Sequence, residues 1–466
     1  MAAFAIIVLI VAHRLLRFDL LSDTVLALRP QGILLTLLAL AVPLAMFRKQ
    51  LSIRFSTVLA VQWLLFVWAL ITRIVSDGPD ELIPFLTGDY AKDLTFASLI
   101  GVLATNTQRL RTLTVTIVAA LLFVAAVSSQ QRLGPRECHY FRNAWQLNYE
   151  QTSDKRPCQA TSECYTVPPH EQHLRDYGWA CERTGPLGLA TVVDRIHYTG
   201  NLIDPNSLAL ALVMAAALLL GLATWPNRPG WKWLWLVGLP LLAISVLLAA
   251  SRAAQAAIGL VMLCFFYFRV GILGAGLAAV LVSPMMLIST RNEAEAAYST
   301  ITRIMTYLNG FRAFLSDPFF GVGFANYERI SFLNAHNSFL QALVETGVVG
   351  GTLYLTGIYV ALKLLVQVMR WPDDGLDEDE QRSLLELQHI ARMLLAMLLG
   401  VLLCVLFLSL AFDFSWLLPL GLVIGFEHHV RQQLPGFQLR IGLVELLALP
   451  LLTMMLLGVF ILATAR

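Results

Sequence analysis

The stretch NAHNSFLQALVETGVVGG, residues 334–351, sets His336, Asn337, Gln341 and Glu345 into an otherwise apolar run. A neutral imidazole can take the proton of a hydroxyl as its oxygen attacks, a contribution of about 10²–10⁴-fold in rate, so His336 is the candidate general base. A histidine at a helix start also serves as a cap or a satisfied polar group, and this stretch alone leaves both roles open. His336 and Glu345 lie nine positions apart, on opposite faces of a helix and about 13 Å from each other. Glu345 is therefore not the group that orients the imidazole. Asn337, Gln341 and Glu345 recur every four residues on one stripe and are expected to support a neighbouring helix. Gly347 and Gly351 form a small pair that lets another helix approach.

The second chemical group is arginine. Arg195, Arg252, Arg291, Arg303 and Arg312 all fall on the same side of the chain's apolar segments as His336. In AASRAAQAAIGL (249–260), Arg252 sits where one apolar run turns into the next, with almost no loop around it. An arginine at membrane depth costs about 2.5–3.5 kcal/mol on the mildest scale, so it faces a polar cavity or a partner unless it snorkels to the interface. Guanidinium holds phosphate oxygens through two parallel hydrogen bonds and stays charged, which makes a phosphate-bearing lipid the expected ligand. Arg195 precedes the helix start at Pro205–Asn206, whose free N–H groups also attract anions, while His197 and Asp204 suit local capping or pairing. Arg303 and Arg312 are nine residues apart on an amphipathic segment, so only one can face a common site, and Arg303 is preferred. There is no HxxxH, no HExxH and no carboxylate cluster at ligand spacing on this side, so neither a metal nor another cofactor is expected.

The elements that must carry these groups are membrane helices. The 466 residues are 57 % hydrophobic and 14 % charged, with a mean hydropathy of +0.68, far from the composition of a soluble globular chain. Apolar runs fall near 2–20, 31–46, 55–73, 90–105, 112–128, 206–224, 233–250, 253–268, 270–289, 337–369, 389–410, 412–426 and 441–465. The expected fold is an all-α polytopic integral membrane protein of about twelve transmembrane helices, forming a single domain over 1–466. The first run has no charge ahead of it and no small-residue cleavage site before Arg14, so it is read as a retained helix. Basic residues in short loops (Arg48, Lys49, Arg54, Arg109, Arg111, Arg228, Lys232, Arg269, Arg370) mark one side as cytoplasmic. The acidic run DDGLDEDE (373–380) falls there and reads as a solvated loop. Two longer hydrophilic loops, 129–200 and 290–336, lie opposite, the second carrying the amphipathic helix. Cys138, Cys158, Cys164 and Cys181 share the first loop, where irregular spacing favours up to two disulfides in an oxidising compartment over a zinc site, with the pairing open. A net charge of +2 offers no case for a nucleic acid.

These residues resemble a known family. AHNSFLQALVETGVVGG is similar to the HN…L…E.G..G signature of the O-antigen ligase and polymerase superfamily, DPNSLA (204–209) to its PN..A segment, and SRAAQAAIGL (251–260) to its SRgA turn. TRIMTYLNGFRAFLSDPFFGVG (302–323) resembles its R…W..A…P..G.G segment, with Tyr307 where tryptophan is usual, which leaves open whether Arg303 or Arg312 holds the functional slot. The likeness covers about 190–355. It implies a C-type glycosyltransferase-like fold in the bacterial inner membrane with its active site toward the periplasm. It also implies metal-independent transfer of a preassembled glycan from undecaprenyl pyrophosphate to a hydroxyl, that of the lipid A-core in the ligase branch of lipopolysaccharide biosynthesis. His336 would be the base, Arg195, Arg252 and Arg303 the pyrophosphate ligands with Arg291 and Arg312 as further candidates, and Asn206, Asn337 and Glu345 their support. O-antigen polymerase and protein O-oligosaccharyltransferase share this logic. The HN…E.G..G pattern favours the ligase, and with no soluble domain following the last apolar run a protein acceptor is not expected. A lipid-linked sugar transporter would also use arginines and broken helices, but should show two related halves, which this sequence does not.

Overall fold

The computed structural model describes the chain except residues 1, 22–26, 48–55, 143–149, 165–178, 227–232, 288–292, 332, 374, 443, 446–447, 450, 453–454 and 456–466. Arg291 and most of the expected last span therefore lie outside the described residues. The longer helices are α1 (Ala2–Leu16), α2 (Pro30–Phe47), α3 (Thr57–Asp77), α4 (Asp89–Leu103), α5 (Thr107–Ser129), α6 (Pro205–Ala223), α7 (Leu234–Leu248), α8 (Arg252–Val270), α9 (Ile272–Leu287), α10 (Glu293–Ser316), α11 (Ser338–Met369), α12 (Glu378–Val405) and α13 (Phe414–Gln433). Among the described residues, 7 helices are long and apolar enough to cross a membrane: α2, α3, α5, α6, α8, α11 and α12, with α1, α7 and α9 apolar but shorter. Two further expected runs are covered by α4, which carries Asp89, Lys92 and Asp93, and by α13, whose last turns hold Glu427, His428, His429 and Arg431.

The middle of the bundle is α6, packed by α5, α7, α8 and α12. A helix apolar on every side is stable only when surrounded, and every residue of α6 from Pro205 to Ala223 is buried except Asn206. Asp204 caps it, accepting from the N–H groups of Asn206 (2.6 Å) and Ser207 (3.1 Å). Buried charges elsewhere are paired. Arg14 bonds Asp93 and stacks on Phe96 and Phe414, and Glu427 accepts from Ser56 Oγ (2.6 Å), the Thr57 N–H (2.9 Å) and Arg431 Nη2 (2.8 Å). The acidic run at 373–380 is only partly loop: Asp377 and Glu380 form a capping box, and Glu378–Glu380 are the first turn of α12, where carboxylates suit the helix dipole.

The described part of loop 129–200 holds strands and short 3-10 turns, an addition to the all-α expectation. It holds a three-stranded antiparallel sheet, β1 (Arg136–Arg142), β2 (Glu150–Pro157) and β3 (Trp179–Arg183), in the order β2-β1-β3. Disulfides Cys138–Cys164 and Cys158–Cys181 tie it together, settling a pairing the spacing left open. Glu182 on β3 turns back the chain that follows, accepting from Thr191 Oγ1 (2.6 Å) and the N–H groups of Val193 (2.6 Å) and Asp194 (3.0 Å). Asp194 receives Arg132 and Arg136, and His197 is buried between the carbonyls of Tyr198 (2.8 Å) and Ala190 (2.6 Å). His197 is thus structural, and the sheet fixes the backbone from which Arg195 projects.

The 32-residue helix α11 breaks at Gly347, where φ is 65° and ψ is −171°. A break exposes backbone groups that must find partners in an apolar surround. They do: the Val348 N–H donates to Pro318 O (2.8 Å), Val344 O accepts from the Val322 N–H (2.9 Å), and Thr346 O accepts from Trp68 Nε1 (2.7 Å). The segment after α10 is therefore seated in the break. It is held from the other side by Arg73, which bonds Phe324 O (2.9 Å), Asn326 Oδ1 (2.7 Å) and Glu81 (3.0 Å), and by Asp77, which receives Asn326 and Arg329.

A Cβ on Gly347 would press on the Phe319 carbonyl oxygen in a left-handed conformation, whereas a Cβ on Gly276 meets nothing. Gly347→Ala should therefore destabilise the protein by at least about 2 kcal/mol. Thermal unfolding in detergent reads this, and a shift no larger than that of Gly276→Ala would contradict the seating described. Alkylation after denaturation without reductant should label Cys264 and Cys404 alone; labelling of all six cysteines would rule out the bridges.

Candidate active site

Two helix starts, the middle of α10 and one loop converge where α6 and α8 begin. Asn206 is the one position of α6 left open by burial, and it faces a cavity of about 250 Å³. Arg252 enters from the first turn of α8, Arg303 and Thr300 from α10, and Phe407 and Leu408 from the loop after α12. The tight turn that delivers Arg252 depends on Ala250 at φ 51° and on Ser251 as N-cap. The first N–H groups of a 19-residue helix then point outward, where they favour an anion. No described carboxylate pairs with Arg252 or Arg303. Two guanidiniums, a carboxamide and a helix start in one small cavity are a site for a multiply charged oxyanion.

Arg195, expected as a pyrophosphate ligand, is not among the residues that line this cavity but bonds one of them. Its Nε donates to Ala249 O (2.8 Å) and its Nη2 to Asn206 Oδ1 (2.8 Å). It buttresses the turn before α8, and by occupying Oδ1 it leaves the Asn206 amide nitrogen as the donor toward the cavity. Arg312 is exposed on α10 and away from the cavity lining, as a half-turn offset of nine residues requires. Arg303 is the one of the two that the fold brings in.

His336 sits just before α11 with φ 46°, a conformation its surroundings must enforce. Its N–H donates to Ser409 Oγ (2.6 Å), beside cavity-lining Leu408, and its carbonyl accepts from the Tyr307 hydroxyl (3.2 Å). Ser338 bonds Leu408 O (2.7 Å) and the Leu410 N–H (2.9 Å), stitching the loop after α12 to the first turn of α11. The backbone is thus clamped while the imidazole makes no hydrogen bond with a described residue. Burial pushes the imidazole pKa down to about 4, with the nearby Arg303 charge adding to the fall and Asp204 opposing it. The ring is neutral at pH 7 and able to accept a proton.

Asn337 is the N-cap of α11, accepting from the Leu340 N–H (2.9 Å), and Gln341 accepts from the Ala411 N–H (3.3 Å). Glu345 is buried and accepts from the Ala325 N–H (3.2 Å). All three are structural acceptors: Asn337 caps its own helix, while Gln341 and Glu345 hold Ala411 and Ala325 of two loops rather than the neighbouring helix expected. Tyr307, Ser409, Thr300 and the Arg73–Asp77–Asn326 network were not foreseen. Only the departure at Tyr307 carried a sequence signal, since a phenol in place of an indole supplies the hydroxyl that holds His336. Among the described residues the one grouping of metal-ligand atoms is Cys138, Cys158 and Cys164, whose sulfurs are committed to the disulfides.

No protein-family model matches the chain, and no curated protein does.

Removing the Arg303 charge takes away one of the two causes that depress His336. Arg303→Gln should therefore move the imidazole pKa upward toward its ordinary value. Site-resolved mass spectrometry of diethylpyrocarbonate modification against pH would measure it. An unchanged profile would mean that the two groups do not feel each other.

Proposed function

We propose that the protein is an O-antigen ligase, transferring a preassembled glycan from undecaprenyl pyrophosphate to a hydroxyl of a lipid A-core acceptor at the periplasmic face of the inner membrane. The observation that carries this reading is the meeting of Arg252, Arg303 and Asn206 around one cavity beside a neutral, backbone-clamped His336. The diphosphate of the donor is held by the two guanidiniums, the Asn206 amide and the first N–H groups of α8. The acceptor hydroxyl approaches the anomeric carbon from the side away from the diphosphate. As its oxygen forms the new glycosidic bond, His336 takes the hydroxyl proton. The bond between the anomeric carbon and the diphosphate oxygen breaks with its electron pair, and undecaprenyl pyrophosphate leaves with one further negative charge. Arg252 and Arg303 stabilise that charge as it develops, the task a divalent cation performs in other phosphate-leaving reactions. Attack opposite the leaving group inverts the anomeric centre.

The low pKa of His336 suits the step. Held near 4 while the diphosphate is absent, the imidazole is unprotonated before substrate arrives, and binding a diphosphate beside Arg303 offsets the charge that depresses it. The base thus becomes stronger when the donor is in place.

Reconstitution with undecaprenyl-pyrophosphate glycan and separate lipid A-core, glycan and protein acceptors tests the reading, because the product distinguishes ligase, polymerase and protein transferase. His336→Ala and Arg252→Ala should each lower the transfer rate by about 10²-fold or more, with unaltered gel-filtration behaviour in detergent. Chelator should leave the rate intact. Full transfer by His336→Ala would remove it as the base, and a chelator loss restored by Mg²⁺ would show that the arginines do not suffice.

A further inference from the structure

The helices that frame the first cavity border a second one at their other ends. It measures about 410 Å³ and lies where α6 and α8 finish and α12 begins. Arg252 and Arg269 stand at the two ends of α8, about 25 Å apart at 1.5 Å per residue, close to the roughly 30 Å of a bilayer's hydrocarbon core. The second cavity therefore opens at the opposite face of the membrane from the glycan site.

Its walls and its charges differ sharply. Leu220, Phe265 and Phe268 supply an apolar side, while Arg269 and Arg392 bring two guanidiniums to the same space. Arg269 lies over the Phe265 ring, 5.5 Å from its centroid. No described carboxylate pairs with either arginine. The acid on this stretch of α12, Glu386, instead accepts from Trp225 Nε1 (3.0 Å), and His389 is bonded to Gly221 O (2.9 Å). Apart from the contact of Arg269 with the Phe265 ring, neither arginine has an ion-pair or hydrogen-bond partner among the described residues. What fits is a ligand with an oxyanion at one end and hydrocarbon at the other, presented at a membrane interface.

We propose that this cavity binds the phosphate headgroup of an anionic glycerophospholipid from the leaflet opposite the glycan site, with Arg269 and Arg392 on the phosphate and the acyl chains along Phe265 and Phe268. The site is independent of the proposed transfer reaction and would exist whatever the outer cavity does.

Native mass spectrometry of the full-length protein in a non-ionic detergent, titrated with phosphatidylglycerol or phosphatidylcholine, tests it. The wild type should retain phosphatidylglycerol in preference to phosphatidylcholine. The double variant Arg269→Gln/Arg392→Gln should lose retention on the order of tenfold, while Arg370→Gln, at the same end of the bundle but outside the cavity, should not. Equal retention of the two lipids by the wild type, a comparison that needs no variant, overturns the proposal. So does undiminished retention in a folded double variant. Thermal stabilisation by inorganic phosphate alone, equal to that by the lipid, would assign the cavity to a free anion and overturn it too.

Discussion

A helix that breaks inside an apolar surround must have its freed backbone groups satisfied by protein, since no water is there to do it. The break in α11 at Gly347 is the constraint on which the outer end of this molecule is built. Because Val344 O, Thr346 O and the Val348 N–H take their partners from Val322, Trp68 and Pro318, the chain leaving α10 has one place to go. That seating fixes α10 against α11, and with them Arg303 and His336. Glu345 extends the same arrangement by accepting from Ala325, and Arg73 with Asp77 holds the far side of the loop. Two side chains 33 positions apart in sequence become neighbours through hydrogen bonds that neither of them makes.

The arginines at this end divide by what they touch. Arg195 bonds Ala249 O and Asn206, while Arg252 and Arg303 face the cavity with no carboxylate partner among the described residues. Arg252 is exposed and Arg303 half-buried, each at a cavity whose other walls include Phe407 and Leu408. Burial, with the Arg303 charge adding to it, keeps His336 neutral, and Ser409 and Tyr307 clamp its backbone.

The bundle is also two-ended. Buried α6 links the ends, its first turn giving Asn206 to one cavity and its last turns giving Leu220 and Thr224 to the other. Each end combines two guanidiniums with apolar walls. The lateral packing that makes α6 apolar on every side thus sets both sites at a spacing close to the bilayer's own.

The sequence by itself determined where the apolar helices run, which end carries the cations, and that the four loop cysteines belong to an oxidised segment, because hydropathy, loop charge and cysteine clustering are local properties. It marked His336, Arg252 and Arg303 as chemistry and Asp204 as a cap. It does not foretell the sheet in loop 129–200, whose strands pair across separate stretches of chain. Only the tertiary structure decided that Arg195 is a brace, that Arg303 rather than Arg312 enters the cavity, how the cysteines pair, and that Tyr307 and Ser409 hold the histidine. The physical reason is the same throughout. These outcomes depend on which backbone carbonyl or carboxamide reaches a given side chain first, and those partners come from segments tens to hundreds of residues away, where no local spacing records them.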